Sequence, residues 1–472
     1  MTDKVNPHRA DRRHANTENI YQQHSGGSAF STQKARTNDD KTTTSGGTMG
    51  SPNSLLAITV SSLIAAPALA AEFDVGGQVN RAVMYVEDGY AAGYLGVGSS
   101  TEFYHVDNRN SPTRFHVGGT QRLMEGWTAG ALVEVGIYSN SSNDVDPDNK
   151  SVDGDLEERI TDAFIDSPFG KITVGHGEGA AYNTGRLDYS GTGVISFRNP
   201  ALIGGNLSYA LKSSSYKRKF DADGNFTGIE SFDLQEGDNN RTSISGSIRD
   251  YNFEGRHDRI RYDSPRLGPV TLSASAGHDS GSDGHESILQ AGLKSGLRVP
   301  GGRMLIGLGY SVATRNADEL DQRFDPDSSV DPDITTYGGS ISYFHNDTGF
   351  NLTLAAINRE EELTTEEKTG TFSATRSELG QFRYIKLGYR PSRHHAFDIH
   401  YGETRNRNKD DEKGSVIGMG YVWSPTEMFD LYAGAKIHSF ERGEWCTASG
   451  RTCYNPEYED IKIVTTGARV KF

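Results

Sequence analysis

ERITDAFIDSPFGKITVGHGEGAAYNTGRLDYSGTGVISFRNP (Glu158–Pro200) is the stretch that decides the fold. It opens as a strand from Arg159 to Ile165, turns tightly at Ser167–Gly170 and continues as a strand from Lys171 to His176. Gly177–Gly191 is rich in Gly and Tyr and has no period, and a third strand is expected from Val194. Two strands on a minimal turn, followed by a long irregular segment, predict a barrel with a loop folded into its mouth.

Outward from that stretch the dominant signal is alternation. In Phe429–His438, Phe429, Leu431, Ala433, Ala435 and Ile437 share one face, while Asp430, Tyr432, Gly434, Lys436 and His438 share the other. The last segment sets Val464, Thr466, Ala468, Val470 and Phe472 against Thr465, Gly467, Arg469 and Lys471. Val270–Ala276 and Leu207–Lys212 alternate in the same way. One apolar face and one polar face fit a sheet with lipid outside and water within.

A soluble sandwich also alternates, so the connections decide. Short turns (Gln121–Gly126, Ser167–Gly170, Asn199–Gly205, Ser264–Pro269 and four later ones) separate longer charged loops, among them Ser139–Glu157, Gly177–Gly191 and Ser213–Asn252. Strict short–long succession belongs to a membrane barrel. The fold class is therefore all-β, a transmembrane antiparallel β-barrel of 16–18 strands with an inward-folded third loop. Tyr85, Trp127, Tyr138, Tyr262, Tyr343, Tyr389, Tyr421 and Trp423, near strand ends, are the expected interfacial girdles.

Composition agrees. Hydrophobic residues make up only 34% of the 472, with mean hydropathy −0.61, too few for one large dry core. Yet Gly (55), Tyr (22) and Phe (20) are abundant, which disorder would not favour. Residues 1–48 lack periodicity and are expected to be disordered or a mis-assigned extension, with Met49 as the alternative start. Residues 49–70 contain the apolar run Leu55–Ala70 ending in Ala68-Leu69-Ala70, an export signal with cleavage near Ala71. The barrel is then 71–472, where no run of about 18 apolar residues could span as a helix. In an exported chain Cys446 and Cys453 read as a disulfide closing a small loop.

ERITDAFIDSPFGKITVGHG resembles the paired strands and Phe-Gly turn before the third loop of Gram-negative general porins. GTGVISFRNPALIGGNLSYAL and RIRYDSPRLGPVTLSASAG look like later hairpins of that family, and Phe472 matches its C-terminal assembly signal. The resemblance implies an outer-membrane homotrimer in a Gram-negative bacterium, passing small hydrophilic solutes and ions passively. It also implies contact with lipid and lipopolysaccharide, and with the barrel-assembly machinery through Phe472. The Pro-Glu-Phe-Gly-Gly motif common in the family's third loop is absent, and Arg186 stands near where an arginine is otherwise expected.

The expected constriction joins Glu178, Tyr182, Arg186, Asp188 and Tyr189 on the loop to Arg114 and Arg159 on the wall, setting a transverse field. The competing reading is that these arginines simply pair with nearby carboxylates. By alternation Asp162 and His176 face outward, where another protomer should cover them. The acidic loops Asp144–Asp155, Asp221–Asn225 and Phe324–Asp333 lack EF-hand spacing; no cofactor is expected beyond loosely bound divalent cations there. A net charge of −15 disfavours nucleic acid, and no hydrolase or nucleotide-binding motif occurs, so no enzyme is expected. A substrate-selective channel and a non-conducting structural or adhesive barrel remain the alternatives.

Overall fold

The computed structural model describes residues 71–88, 101–231, 242–279, 285–315, 333–366, 372–376, 379–407, 411–447 and 449–472. The expected extension and export signal lie outside these residues, as does most of the acidic run Phe324–Asp333.

The wall begins with β1 (Glu72–Glu87), β2 (Thr101–Asp107), β3 (Arg114–Met124), β4 (Trp127–Tyr138), β5 (Asp155–Ser167) and β6 (Gly170–Glu178). It continues through β9 (Arg256–Asp263), β10 (Val270–Asp279), β11 (His285–Val299), β12 (Gly302–Arg315), β13 (Asp333–His345) and β14 (Phe350–Glu366). β16 (Gly380–Ser392), β17 (His395–Arg405), β18 (Glu412–Thr426), β19 (Phe429–Arg442) and β22 (Ile461–Lys471) complete it. β22 pairs back onto β1 from Gln78↔Lys471 to Glu87↔Lys462, so the sheet has no open edge.

The sheet contains 18 hydrogen-bonded segments, but β2 and β3 share one stave. β2 pairs with the upper half of β1 and β3 with the lower half. Among the described residues β15 (Phe372–Arg376) pairs only with the end of β14, beyond the closed wall. Sixteen antiparallel staves therefore close the barrel.

Burial is inverted relative to a water-soluble protein. Val75, Ile399 and Ile417 are 66%, 57% and 58% exposed, whereas Asn80, Lys386 and His438 are at or near zero. Each such apolar side chain left in water forgoes about 1.5–3 kcal/mol, so this surface is built for lipid. Aromatic rings line the outside near the short-turn end: Phe350 packs at a tilt against Tyr389 at 4.7 Å and Phe397 stacks on Tyr421 at 4.7 Å. Tyr138, expected in a girdle, points inward instead, where its hydroxyl accepts from Arg159 and Arg109 stands over its ring at 3.7 Å.

Two expectations about the third connection are corrected. β6 pairs directly with β9, from Lys171↔Asp263 to Glu178↔Arg256, so the segment expected to supply a hairpin from Val194 to Lys212 contributes no stave. Asn199–Gly205 is not a barrel turn, and the third connection, of which 232–241 lie outside the described residues, runs from Gly179 to Gly255 rather than ending at Gly191. The reason lies in where the apolar residues go. Val194, Ile195, Ile203, Leu207 and Tyr209 bury against the inner wall residues Phe382, Val416, Tyr432, Phe440 and Ile463 instead of meeting lipid. Pro200, Gly204 and Gly205 interrupt the run before it reaches strand length.

The second correction concerns register. A bulge lies opposite Glu134 and Val135, whose partners are Ile160 and Glu158. The skipped residue shifts the alternation by one, so Asp162 turns inward and bonds Arg259 at 2.5 and 2.9 Å. His176 keeps its outward aspect, paired with Asp258 at 3.1 Å.

Beyond the wall at the long-loop end, the excursion forms β7 (Tyr216–Phe220) and β8 (Phe226–Ser231). They join β20 (Trp445–Cys446) and β21 (Thr452–Asn455) in a small four-stranded sheet. β7 pairs with β21, and Cys446 and Cys453, opposite each other, are disulfide-bonded as expected. The third connection is thereby tied to the last one.

Candidate channel constriction

Among its described residues the inward excursion has no ladder of its own across the lumen, so its backbone groups need partners from the wall. Inward-facing polar residues provide them. Ala180 N–H donates to Ser275 Oγ (2.9 Å) and Ala181 N–H to Gln290 Oε1 (3.1 Å). Leu187 and Tyr189 donate to Ser340 and Ser342 (3.1 and 3.0 Å), and the Asn108 amide donates to Val194 O at 2.8 Å. The outgoing limb thus follows the inner wall from β10 towards β19 before meeting the link between β2 and β3. Where it touches, the wall is bare: a Cβ on Gly292 or Gly307 would lie 2.1 or 2.2 Å from Ala180 O or Thr184 O.

The return limb adds a second layer. Arg249 N–H donates to Thr404 Oγ1 at 3.0 Å, and Arg359 bonds Glu254 at 2.8 Å. Arg259 fixes the point of departure by donating to Gly175 O and Glu178 O while holding Asp162. Buried Lys386, His400 and His438 show that the side of the lumen lined by β16–β19 is occupied. Partly exposed charges lie on the other side.

Arg114 and Arg159 both reach Glu134, at 3.2 and 2.6 Å. Arg256 faces Glu178 at 3.9 Å and stands over the Tyr182 ring at 5.0 Å. Arg186 does not project into the passage: with Arg198 it clamps Asp250, at 2.6 and 3.2 Å. Asp188 turns to the wall, where Lys386 (2.7 Å) and Ser190 hold it. Tyr189 packs beside Leu187, Leu305 and Phe344. Of the seven expected residues, Arg114, Arg159 and Glu178 keep partly exposed charges on that side, Tyr182 is buried beneath Arg256, and Arg186, Asp188 and Tyr189 fasten the loop.

Burial pushes the Asp188 carboxyl up, but the Lys386 ammonium and Ser190 outweigh it and hold the group at about 2. Asp250 is likewise raised by burial and brought down to about 2 by Arg186 and Arg198. Sequence reading missed Glu134, Arg256, Asp250 and Lys386. Lys386 was within reach, since it alternates against Ile385 and Leu387. Asp250 carried no such signal.

A sealed sixteen-stave wall, apolar outside and narrowed by its own third connection, accompanies a match of residues 56–439 to the family described as Gram-negative porin. The chain belongs to that family. Its fold is similar to the anion-selective porin of Comamonas acidovorans (TM-score 0.51, 12% identity, 85% of this chain and 100% of that one). The outer-membrane protein OmpT of Vibrio cholerae (0.49, 12%, 85% and 98%) and the channel DcaP of Acinetobacter baumannii (0.44, 13%, 85% and 97%) also align. No curated protein sequence matches it. The porin is an outer-membrane channel for passive diffusion of small hydrophilic solutes and ions, with the short turns on the periplasmic side. Family and fold point to a channel rather than an enzyme.

Proposed function

We propose that the porin favours small anions. The observation that carries this reading is the sharing of carboxylates. Glu134 serves Arg114 and Arg159, Asp250 serves Arg186 and Arg198, and Asp430 serves Arg469 and Lys471. Each trio keeps one positive charge on the wall or on the loop packed against it, where it acts on the passing ion far more than the acidic exterior does. The Comamonas acidovorans porin is anion-selective; for this chain the preference rests on its own charges. Reversal potentials across a KCl gradient in planar bilayers test it: chloride preference is expected, and potassium preference overturns it.

A homotrimer belongs to the same proposal. The His176–Asp258 pair on the outer face would be costly against lipid, which favours cover by a neighbouring protomer there. Chemical cross-linking in detergent, with bands no larger than a monomer, would count against it. Assembly through Phe472 and loose divalent cations at the acidic loops remain part of the proposal. Asp146, which accepts from Asn149 and Asn206, is a candidate bridge to lipopolysaccharide.

A further inference from the structure

At the periplasmic end of the lumen, beneath the outgoing limb, two arginines stand together with no carboxylate bonded to either among the described residues. Arg303 is the second residue of β12, and Arg390 lies near the end of β16. The Arg303 guanidinium is 4.9 Å from the centre of the Tyr189 ring and 4.7 Å from that of Phe344. Arg390 stands 6.0 Å over the same Phe344 ring, and its Nη1 donates to Tyr189 O at 3.3 Å. Neither forms an ion pair among the described residues, and Arg303 Nε is buried with no hydrogen-bond partner there. The carboxylate of Asp188 is already held by Lys386 and Ser190. Leu187, Tyr189 and Leu305, with Phe344 packed on them, make an apolar floor.

Two neighbouring cations repel each other, and both are half-buried. A guanidinium over a ring still offers its in-plane N–H donors, which match a carboxylate in fork geometry. From this juxtaposition we infer that the porin carries a second anion site, distinct from the opening at Arg114 and Arg159. It takes a small organic acid with one carboxylate and a flat apolar body. The carboxylate sits between Arg303 and Arg390, and the body lies against the partly exposed Phe344, with buried Tyr189 behind it. This goes beyond the anion preference and does not need it, since local donors and an aromatic floor suffice for binding.

The test is block of chloride current by benzoate added from the periplasmic side of the reconstituted porin. Acetate supplies the charge without the body, and benzyl alcohol the body without the charge. Benzoate should block saturably, and acetate and benzyl alcohol should not at the same concentration. Half-blocking concentration, normalised to each variant's own KCl current, should rise about tenfold or more in R303A/R390A. R303K/R390K, which keeps both charges but loses the fork, should fall between. R114A should leave the half-blocking concentration where it was. Absence of benzoate block, equal block by acetate, block that survives R303A/R390A, or block abolished by R114A each overturns the inference. Reversal potentials on the same membranes report the anion preference separately.

Discussion

Glu134 is the residue on which the charge near Arg114 and Arg159 turns, because among the described residues it alone forms ion pairs with both. Glu134→Gln leaves both guanidiniums uncompensated, so the chloride-to-potassium permeability ratio should rise severalfold, while Arg159→Ala should lower it. Reversal potentials in a salt gradient would show both. Asp188 and Asp250 titrate the fastening of the inward loop. Their folded values of about 2 lie below the ordinary carboxylate value of 3.8, so the stability they contribute is complete above the unfolded pKa. It is lost as pH falls from about 4 towards 2, and amounts to about 2 kcal/mol for each group. Open-channel current noise should therefore be steady from pH 8 to 5 and grow below pH 4. Asp250→Asn should show the noisier trace already at pH 7.

Among the elements, the glycine seats under the outgoing limb define how far it can settle. Gly307→Val puts side-chain carbon where Thr184 O rests, so the limb must shift. Single-channel conductance should change and fluctuate, while heat stability of the barrel in detergent should hold within a few degrees, since the wall ladder is untouched. The disulfide acts at this scale too. Cys446→Ser removes a short closure worth about 2 kcal/mol, and the effect should stay in the outer sheet. Limited proteolysis should cut sooner near Tyr216–Ser231, and the barrel should remain protected. Staves were legible because each alternates between lipid and lumen, as Phe429–His438 does in both sequence and structure. Leu207–Leu211 alternates as cleanly, yet it lies inside, because period two reports two unlike faces and not which solvent each meets. Asp162 was misplaced because a single bulged residue resets the parity and leaves no compositional mark. The constriction was legible as a set of loop and wall charges. Their pairing was not, since Asp250 lies far along the chain from Arg186 and reaches it only through the return limb.

For the whole molecule, the net charge of −15 and the positive trios within act at different distances from the permeating ion. Exterior charges are screened beyond about 10 Å at 0.1 M salt, whereas the confined trios are screened much less. Chloride preference should therefore weaken only modestly between 0.1 and 1 M KCl. If it vanished, surface potential rather than the interior would be setting it.

The union of β7 with β21 has a bearing on how the polypeptide matures. The excursion leaves the wall after β6, but the strand it pairs with lies in the final hairpin, and its seats are spread over β10 to β19. The bore must therefore be roofed by late-synthesised staves before its own filling can dock. An intermediate arrested short of that step would be a hollow cylinder, wider and leakier than the finished one.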